Sequence, residues 1–297
     1  MKTEETTAIF EAHRPRLVRI AYRMLGSLDE AEDIVQDAWV RWQRVDSDEV
    51  REPSAFLTCT VTRLCLDTIK SARSRREVYF GNWLPEPVVP EDEYYPDDEL
   101  TLTLMLALER LSPLERAAFL LHDVFETPLE EVATTLNRDA GAVRQLAVRA
   151  RKHVQAARSR YPVAREEGER IAGAFFTASQ SGDVTVLRSL LAEDVTLRSD
   201  GGGKVKAFPN PILGLERVVR LLCGLSRKFG GTSETLIRPI RIDGLPGYAS
   251  LERGVLQTTA FAIEEGRIID IYITRNPDKL SRVAKVLGPK NTPMPPQ

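Results

Sequence analysis

Apolar residues recur at helical spacing through about the first 77 positions, beginning near residue 5. Ala31, Ile34, Val35, Ala38 and Trp42 share one face of a helical period, and that spacing predicts a helix. Ser27-Leu28-Asp29-Glu30 supplies a hydroxyl and, three residues on, a carboxylate, the pattern of a capping box at its start. At about 100° per residue, Asp33, Gln36, Asp37 and Val40 fall on the opposite face. A further helix is expected to begin near Pro53-Ser54 and to run through Phe56, Leu57, Val61, Leu64, Leu66 and Ile69. It ends in the basic run Lys70-Ser71-Ala72-Arg73-Ser74-Arg75-Arg76.

A second helical block covers about residues 100–160. Ser112-Pro113-Leu114-Glu115 and Thr127-Pro128-Leu129-Glu130 both fit capping boxes with proline at the favoured first position. Beyond Pro162 the period changes. Two helices are expected in 166–192 and a third in 214–229. Strand-like runs cover Val195–Arg198, Thr235–Ile242, Tyr248–Leu251, Val255–Ile263 and Arg267–Ile273, and Asp243-Gly244, Pro246-Gly247 and Glu265-Gly266 mark turns between the later ones. Helices followed by hairpin strands argue for an α+β domain with a curved antiparallel sheet. Asn276-Pro277 should end the last strand and leave Leu280, Val283 and Val286 on a short helix. The Pro-rich tail after Gly288 is expected to lack fixed structure.

Composition sharpens the division. A chain of 297 residues suggests two or three domains on a prior of roughly one per 100–200 residues. The net charge of -2 hides strong segregation. From Val78 to Leu108 there is no lysine or arginine, while Glu86, Glu91, Asp92, Glu93, Asp97, Asp98 and Glu99 alternate with Pro85, Pro87, Pro90 and Pro96. Like charges repel and proline blocks regular pairing, so an extended linker is expected. Its start, Trp83-Leu84-Pro85-Glu86-Pro87, is too apolar for idle spacer and is expected to dock. Met1-Lys2-Thr3-Glu4-Glu5 is acidic and has no apolar run, and the sequence has no apolar stretch of about 18 residues, so neither a secretory signal nor a membrane span is expected. Cys59, Cys65 and Cys223 form no C-x-x-C pair; reduced, buried thiols in a cytoplasmic protein are expected.

The sharpest constellation lies in residues 127–155. A first helix packs through Leu129, Val132, Ala133 and Leu136, and a short turn, Asn137-Arg138-Asp139, follows. Asp139 is placed to cap a second helix with Val143, Leu146, Ala147, Ala150 and Val154 inward. Its outward stripe is Gln145, Val148, Arg149 and Lys152, flanked by Arg144 and Arg151. Residues 144–160 hold six Lys or Arg and no acid. A solvated charged face on a helical hairpin would explain the charge alone. Caps, turn length and inward pattern together indicate a helix-turn-helix whose second helix fits a major groove, where Arg and Gln can hydrogen-bond base edges and phosphates.

With the basic end at Lys70–Arg76, the helical blocks resemble the sigma factors of bacterial RNA polymerase, specifically the extracytoplasmic-function class. Asp29-Glu30-Ala31-Glu32-Asp33-Ile34-Val35-Gln36-Asp37-Ala38-Trp39 looks like that family's polymerase-clamp-binding helix. The resemblance implies that Asp33, Gln36 and Asp37 contact the β′ clamp of core polymerase. Residues 54–76 resemble the promoter −10 segment, with Arg63, Asp67, Lys70, Arg73, Arg75 and Arg76 as candidate contacts. Residues 112–155 resemble the −35 module, with Arg144, Gln145, Arg149, Arg151 and Lys152 facing DNA. In the family the linker runs through the polymerase cleft, where a polyanion would mimic RNA; a merely soluble tether is the alternative.

The C-terminal domain resembles the SnoaL-like, nuclear-transport-factor-2-like cone fold. Trp83-Leu84-Pro85-Glu86-Pro87, Asp200-Gly201-Gly202-Gly203-Lys204 and Asn276-Pro277-Asp278-Lys279-Leu280 together resemble the sigma subfamily with a fused domain of this kind. The resemblance implies that the extension replaces a separate anti-sigma factor. It makes Trp83, Leu84, Pro85, Asp200, Gly201, Gly202, Gly203, Lys204, Asn276, Pro277, Asp278, Lys279 and Leu280 candidate regulatory contacts. A purely structural role for these runs, as turn and cap, stays open. The organisation expected is residues 1–78 and 101–160 as all-α modules, 79–100 as linker, 166–287 as the α+β domain and 288–297 as tail.

Two other readings compete: a helix-turn-helix regulator that works without polymerase, and a DNA-binding domain fused to a cyclase- or isomerase-like or ligand-binding domain. Asp200, Tyr248, Asp270 and Tyr272 are available for proton transfer, but alternation along the strands cannot put them in one cavity. The chain's histidines, His13, His122 and His153, all precede that domain, so neither a Ser-His-Asp set nor a metal cluster can be built there. The triple glycine lacks P-loop spacing. No catalysis, metal or cofactor is expected; a small ligand of unknown kind is a further candidate partner.

Overall fold

The computed structural model describes residues 2–46, 50–77, 79, 81–90, 101–155, 163–230 and 234–288, and of residues 2, 3 and 70–77 the backbone alone. These residues form two compact units. One contains residues up to 77 and from 103 to 155; the other contains residues 79–90, 101, 102 and those from 163 on. The acidic run 91–100 and the tail after Gly288 lie outside the described residues.

The first unit is helical. Helices α1 (Lys2–Leu25), α2 (Leu28–Trp42) and α3 (Pro53–Glu77) pack around Phe10, Leu17, Val18, Leu25, Val35, Trp42, Leu57 and Val61, all buried. Trp42 is wholly buried, and its indole N–H donates to Thr6 O at 3.0 Å, which satisfies the one polar group the ring carries inside. Ser27 begins α2 as expected, its Oγ accepting from Glu30 N at 3.4 Å. Then come α4 (Leu102–Leu108), α5 (Pro113–Phe119), a π-helical turn (Leu120–Val124), α6 (Leu129–Leu136) and α7 (Ala140–Gln155).

Ser112 forms a full capping box, donating its N–H to Glu115 Oε2 at 3.0 Å and accepting from Glu115 N at 3.3 Å. Thr127 does not. Pro128 occupies the cap position of α6 with no side-chain cap, and Thr127 closes the preceding turn through its backbone: its N–H donates to Leu121 O at 2.8 Å and its carbonyl accepts from His122 Nδ1 at 3.0 Å.

The second unit holds α8 (Arg165–Ser181), α9 (Val184–Leu190), β1 (Leu191–Asp200), β2 (Ile212–Leu213), α10 (Leu215–Phe229), β3 (Glu234–Ile242), β4 (Leu245–Glu252), β5 (Val255–Glu264), β6 (Arg267–Thr274), a 3₁₀ turn (Pro277–Leu280) and α11 (Ser281–Leu287). The strands run in the order β2-β1-β6-β5-β4-β3. The meander from β3 to β6 is antiparallel, as its turns require, but β1 lies parallel to β6. The sheet is therefore mixed rather than all antiparallel. No hairpin ties β1 to β6, so nothing local fixes their direction. Helices α8 and α10 cover one face, burying Ile171, Phe175, Val218 and Leu222 against Tyr248, Phe261 and Ile271. Phe175 meets Phe261 at 4.9 Å between ring centroids, and Phe176 meets Tyr248 at 5.2 Å.

The segment after α3 packs with this second unit. Leu84, Val88 and Val89 are buried, and Val88 exchanges hydrogen bonds with Asp243: Asp243 N donates to Val88 O at 2.9 Å, and Val88 N donates to Asp243 Oδ2 at 3.2 Å. All three cysteines are free; Cys65 and Cys223 are buried, while Cys59 is only half-buried.

Candidate nucleic-acid interface

The helix-turn-helix is built by its turn. Asn137 ends α6 in the left-handed conformation at φ 51°, which asparagine tolerates, and Arg138 N donates back to Ala133 O at 3.0 Å. Asp139 then caps α7, its Oδ1 accepting from Ala142 N at 2.8 Å. With both ends fixed, α7 buries Val143, Leu146, Ala147, Ala150 and Val154 and turns Arg144, Gln145, Val148, Arg149 and Lys152 outward.

Gly141, Arg144, Gln145, Val148 and Arg149 line an open concavity of about 470 Å³. Arg149 Nε lies 3.1 Å from Glu115 Oε1, yet the Arg149 side chain stays 58% exposed. Partial burial works to raise the Glu115 carboxyl, but the Ser112 hydroxyl and N–H outweigh it. With Arg149 and His153 nearby, they hold the carboxyl below its ordinary range. Arg151 differs from its neighbours. Its Nε donates to Asp123 Oδ1 at 2.5 Å, so it braces α7 against the π-turn.

On α2, Asp33, Gln36 and Asp37 stand exposed together, while Ile34, Val35 and Ala38 are buried behind them. On α3, Asp67 is exposed, and the side chains of Lys70, Arg73, Arg75 and Arg76 lie outside the described residues. Arg63 is engaged. Its Nε donates to Thr135 O and its Nη2 to Thr134 O, both at 3.0 Å. It thus meets carbonyls in the last turn of α6, the partially negative end of that helix. Two more arginines join the helical modules. Arg16 Nη2 donates to Phe125 O at 3.1 Å, and the buried Arg116 donates from Nη1 to Met24 O at 2.8 Å and to Glu109 Oε1 at 2.6 Å.

In the second unit, the three runs singled out in the sequence converge on Asp200. Its carboxylate is wholly buried, and Oδ1 accepts from Tyr79 Oη at 2.5 Å and Gly202 N at 3.0 Å. Oδ2 accepts from Leu84 N at 2.9 Å and Lys279 Nζ at 2.7 Å. Lys279 also donates to Leu84 O at 2.5 Å, and its ammonium lies 4.5 Å from the Trp83 ring centroid and 5.1 Å from that of Tyr79. Asn276 Nδ2 donates to Tyr79 Oη at 3.0 Å while its Oδ1 accepts from Asp278 N at 3.1 Å, starting the turn that carries Lys279.

Glycine is required here. A Cβ on Gly201 would sit 2.1 Å from Val205 O, and one on Gly202 would sit 2.4 Å from the Asn276 side chain, at φ +62°. Lys204 pairs with Asp278 at 2.6 Å on the exposed rim, and Leu280 is buried beneath. Pro85 is buried, and Pro277 sits in the first turn of the 3₁₀ segment.

The candidate acid–base groups do not converge. Asp200 is consumed by this lock, and Tyr248 is packed in the apolar core. Ile271 faces that core, so alternation puts Asp270 and Tyr272 on the other side of the sheet, where Asp270 accepts from Arg198 Nη1 at 2.5 Å. Among the described residues no group of three or more His, Cys, Asp or Glu could hold a metal ion, and no helix is long and apolar enough to cross a membrane. Tyr79, Arg16 and Arg116 were not singled out in the sequence. Tyr79 lies four residues before Trp83, just ahead of the apolar run, and that was the only signal it gave.

Residues 9–75 match the family model of Sigma-70 region 2, and residues 101–154 match that of Sigma-70, region 4. Over 288 residues the chain is 36% identical to the ECF RNA polymerase sigma factor SigJ of Mycobacterium tuberculosis, covering 92% of each protein. A second protein of that species, described as a probable ECF RNA polymerase sigma factor, SigI, is 32% identical over 96% of this chain and 98% of its own. The crystal structure of Mycobacterium tuberculosis SigJ is similar at a TM-score of 0.73 and 34% identity, covering 93% of this chain and 98% of that one.

Proposed function

The chain belongs to the extracytoplasmic-function RNA polymerase sigma factors, and from that premise we propose how its faces divide the work of promoter-specific initiation. Core RNA polymerase and promoter DNA are the partners of such a factor. The exposed carboxylate–amide–carboxylate face of α2, Asp33, Gln36 and Asp37, engages the β′ clamp. The basic helix α3 serves the −10 element. The outward stripe of α7 reads the −35 element in the major groove, with Arg144, Gln145, Arg149 and Lys152 toward DNA and Arg151 holding the helix in place. The chain acts in the cytoplasm, where core polymerase and promoter meet, and contributes no catalysis of its own.

The C-terminal SnoaL-like domain modulates this activity in cis. The observation that carries this reading is the lock on Asp200, which binds Tyr79 and Leu84 of the linker to Gly202 and Lys279 of the domain. While the lock is closed, residues 79–90 are withheld from the polymerase cleft. Run-off transcription with core polymerase tests it, comparing the full chain, the full chain carrying Asp200→Asn, and a chain cut after Pro162. The cut chain also uncovers Leu84, Val88 and Val89, so the point variant is the cleaner arm. Altered output from the point variant supports regulation in cis, and equal output from all three sinks it.

A further inference from the structure

We propose that Val148 reads the 5-methyl group of a thymine in the −35 element, which rests on α7 being the helix that enters the major groove. Val148 is 55% exposed, whereas Val143 and Val154 on the same helix are 0% and 1% exposed. Four residues after Arg144 and seven after Gly141, it belongs to the stripe that lines the concavity on the outer face of α7. More than half of its surface is open to solvent. A β-branched residue is a weak helix former, and an apolar side chain left in water gains nothing from burial.

The chemistry around it is that of base recognition. Arg144, Gln145 and Arg149 carry the hydrogen-bonding groups, and Val148 is the apolar member among them. The thymine methyl is the apolar feature of the base edges in the major groove, and small apolar side chains contact it. An isopropyl group in this stripe therefore discriminates by contact: it favours thymine over cytosine, which offers an amino donor and no methyl.

The test uses holoenzyme assembled from the full chain and core polymerase. Competition across a library of −35 sequences first establishes the preferred element; each thymine in it, on either strand, is then replaced singly by deoxyuridine, which removes only the methyl. The expected result is one position where the replacement weakens binding about fourfold, the worth of one methyl group taken out of water. Val148→Ala, with its shorter side chain, should be less sensitive to the replacement at that position while keeping the preferences at its neighbours. The proposal is overturned if wild-type holoenzyme is insensitive at every thymine, or if Val148→Ala retains the same sensitivity. Should the library reveal no −35 preference at all, the assignment of α7 to the major groove falls first, and the two failures are thereby distinct.

Discussion

Lys279 Nζ lies 2.7 Å from Asp200 Oδ2, and the carboxylate it meets is wholly buried. A buried charge is tolerated only with a partner and with its remaining lone pairs satisfied. Asp200 meets both conditions by drawing Tyr79, Leu84 and Gly202 onto it as well. The same bonds that make the charge tolerable tie the linker down, so burial and linker attachment are one event.

Lys279→Met should therefore cost more than a surface ion pair. Removing one partner of a buried pair strands the other, at about 3–5 kcal/mol. Denaturant unfolding followed by a probe in the C-terminal unit measures this, and limited proteolysis within residues 79–90 should accelerate in parallel. A loss under about 1 kcal/mol, the range of an exposed pair, would mean that Asp200 does not depend on Lys279.

Tyr79 gives the lock a pH dependence at the alkaline end. Burial, and then the Asp200 carboxylate it donates to, push the phenol above its ordinary value. An acid whose pKa rises on folding contributes stability that is fully present below the unfolded value, near 10, and is lost as pH climbs through the folded one. Wild type should thus be flat in this respect around neutrality and lose stability in strong alkali. Tyr79→Phe should remove that component and cost about 1–3 kcal/mol at neutral pH, since a charged acceptor loses a donor. Parallel alkaline melts of the two proteins check it; identical slopes would contradict the assignment.

How much of this the sequence displayed depended on distance along the chain. The caps at Ser27, Ser112 and Asp139 and the turn at Asn137 are local, and each element they start or stop is where the pattern put it. The turns at Asp243-Gly244 and Glu265-Gly266 were likewise visible, but Pro246-Gly247, expected as a turn, runs inside β4, and the turn from β4 to β5 falls instead at Arg253-Gly254. The parallel pairing of β1 with β6 was not visible, nor was the short strand β2, because no turn residues encode either. The three runs around Asp200 stood out as compositions, but their meeting joins residues up to 195 positions apart, Leu84 with Lys279. Arg63 illustrates the opposite limit. A basic residue on the −10 helix looked like a DNA contact, and nothing in the sequence hinted that its guanidinium would rest on α6 carbonyls.

That resting place implies competition. Arg63 spends its Nε–H and one Nη2–H on Thr135 and Thr134; if the −10 element draws the guanidinium round onto a phosphate, its engagement should release α6. Fluorophores on α3 and α6 should separate when promoter DNA is added to holoenzyme, and Arg63→Ala should lengthen the distance before DNA is added. An unchanged distance in both cases would show that the contact persists on the promoter.

The α2 face yields a simpler expectation. Asp33→Arg together with Asp37→Arg keeps the buried face intact and reverses an exposed one. If a basic partner docks there, like charges facing each other should lower affinity for core polymerase by at least about tenfold, a modest return on a term that reaches several kcal/mol. Co-purification at fixed salt measures it, and undiminished recovery would move the clamp contact elsewhere.

Arg149 and Glu115 allow the −35 assignment to be dissected. Arg149→Ala should weaken binding by roughly 1–3 kcal/mol with selectivity relaxed at one base pair if the guanidinium reads an edge; a loss uniform across sequences would make it a phosphate contact. Glu115→Gln is the companion, because glutamine can still close the capping box with Ser112 while the charge beside Arg149 disappears. Removing a carboxylate this close to DNA should tighten binding across all sequences and steepen its dependence on salt. In an Arg149→Ala background the gain should shrink, since part of it comes from freeing that guanidinium. Binding isotherms over a range of salt for the four proteins separate these terms. Strictly additive effects would mean that the 3.1 Å pair does nothing to hold Arg149 in readiness.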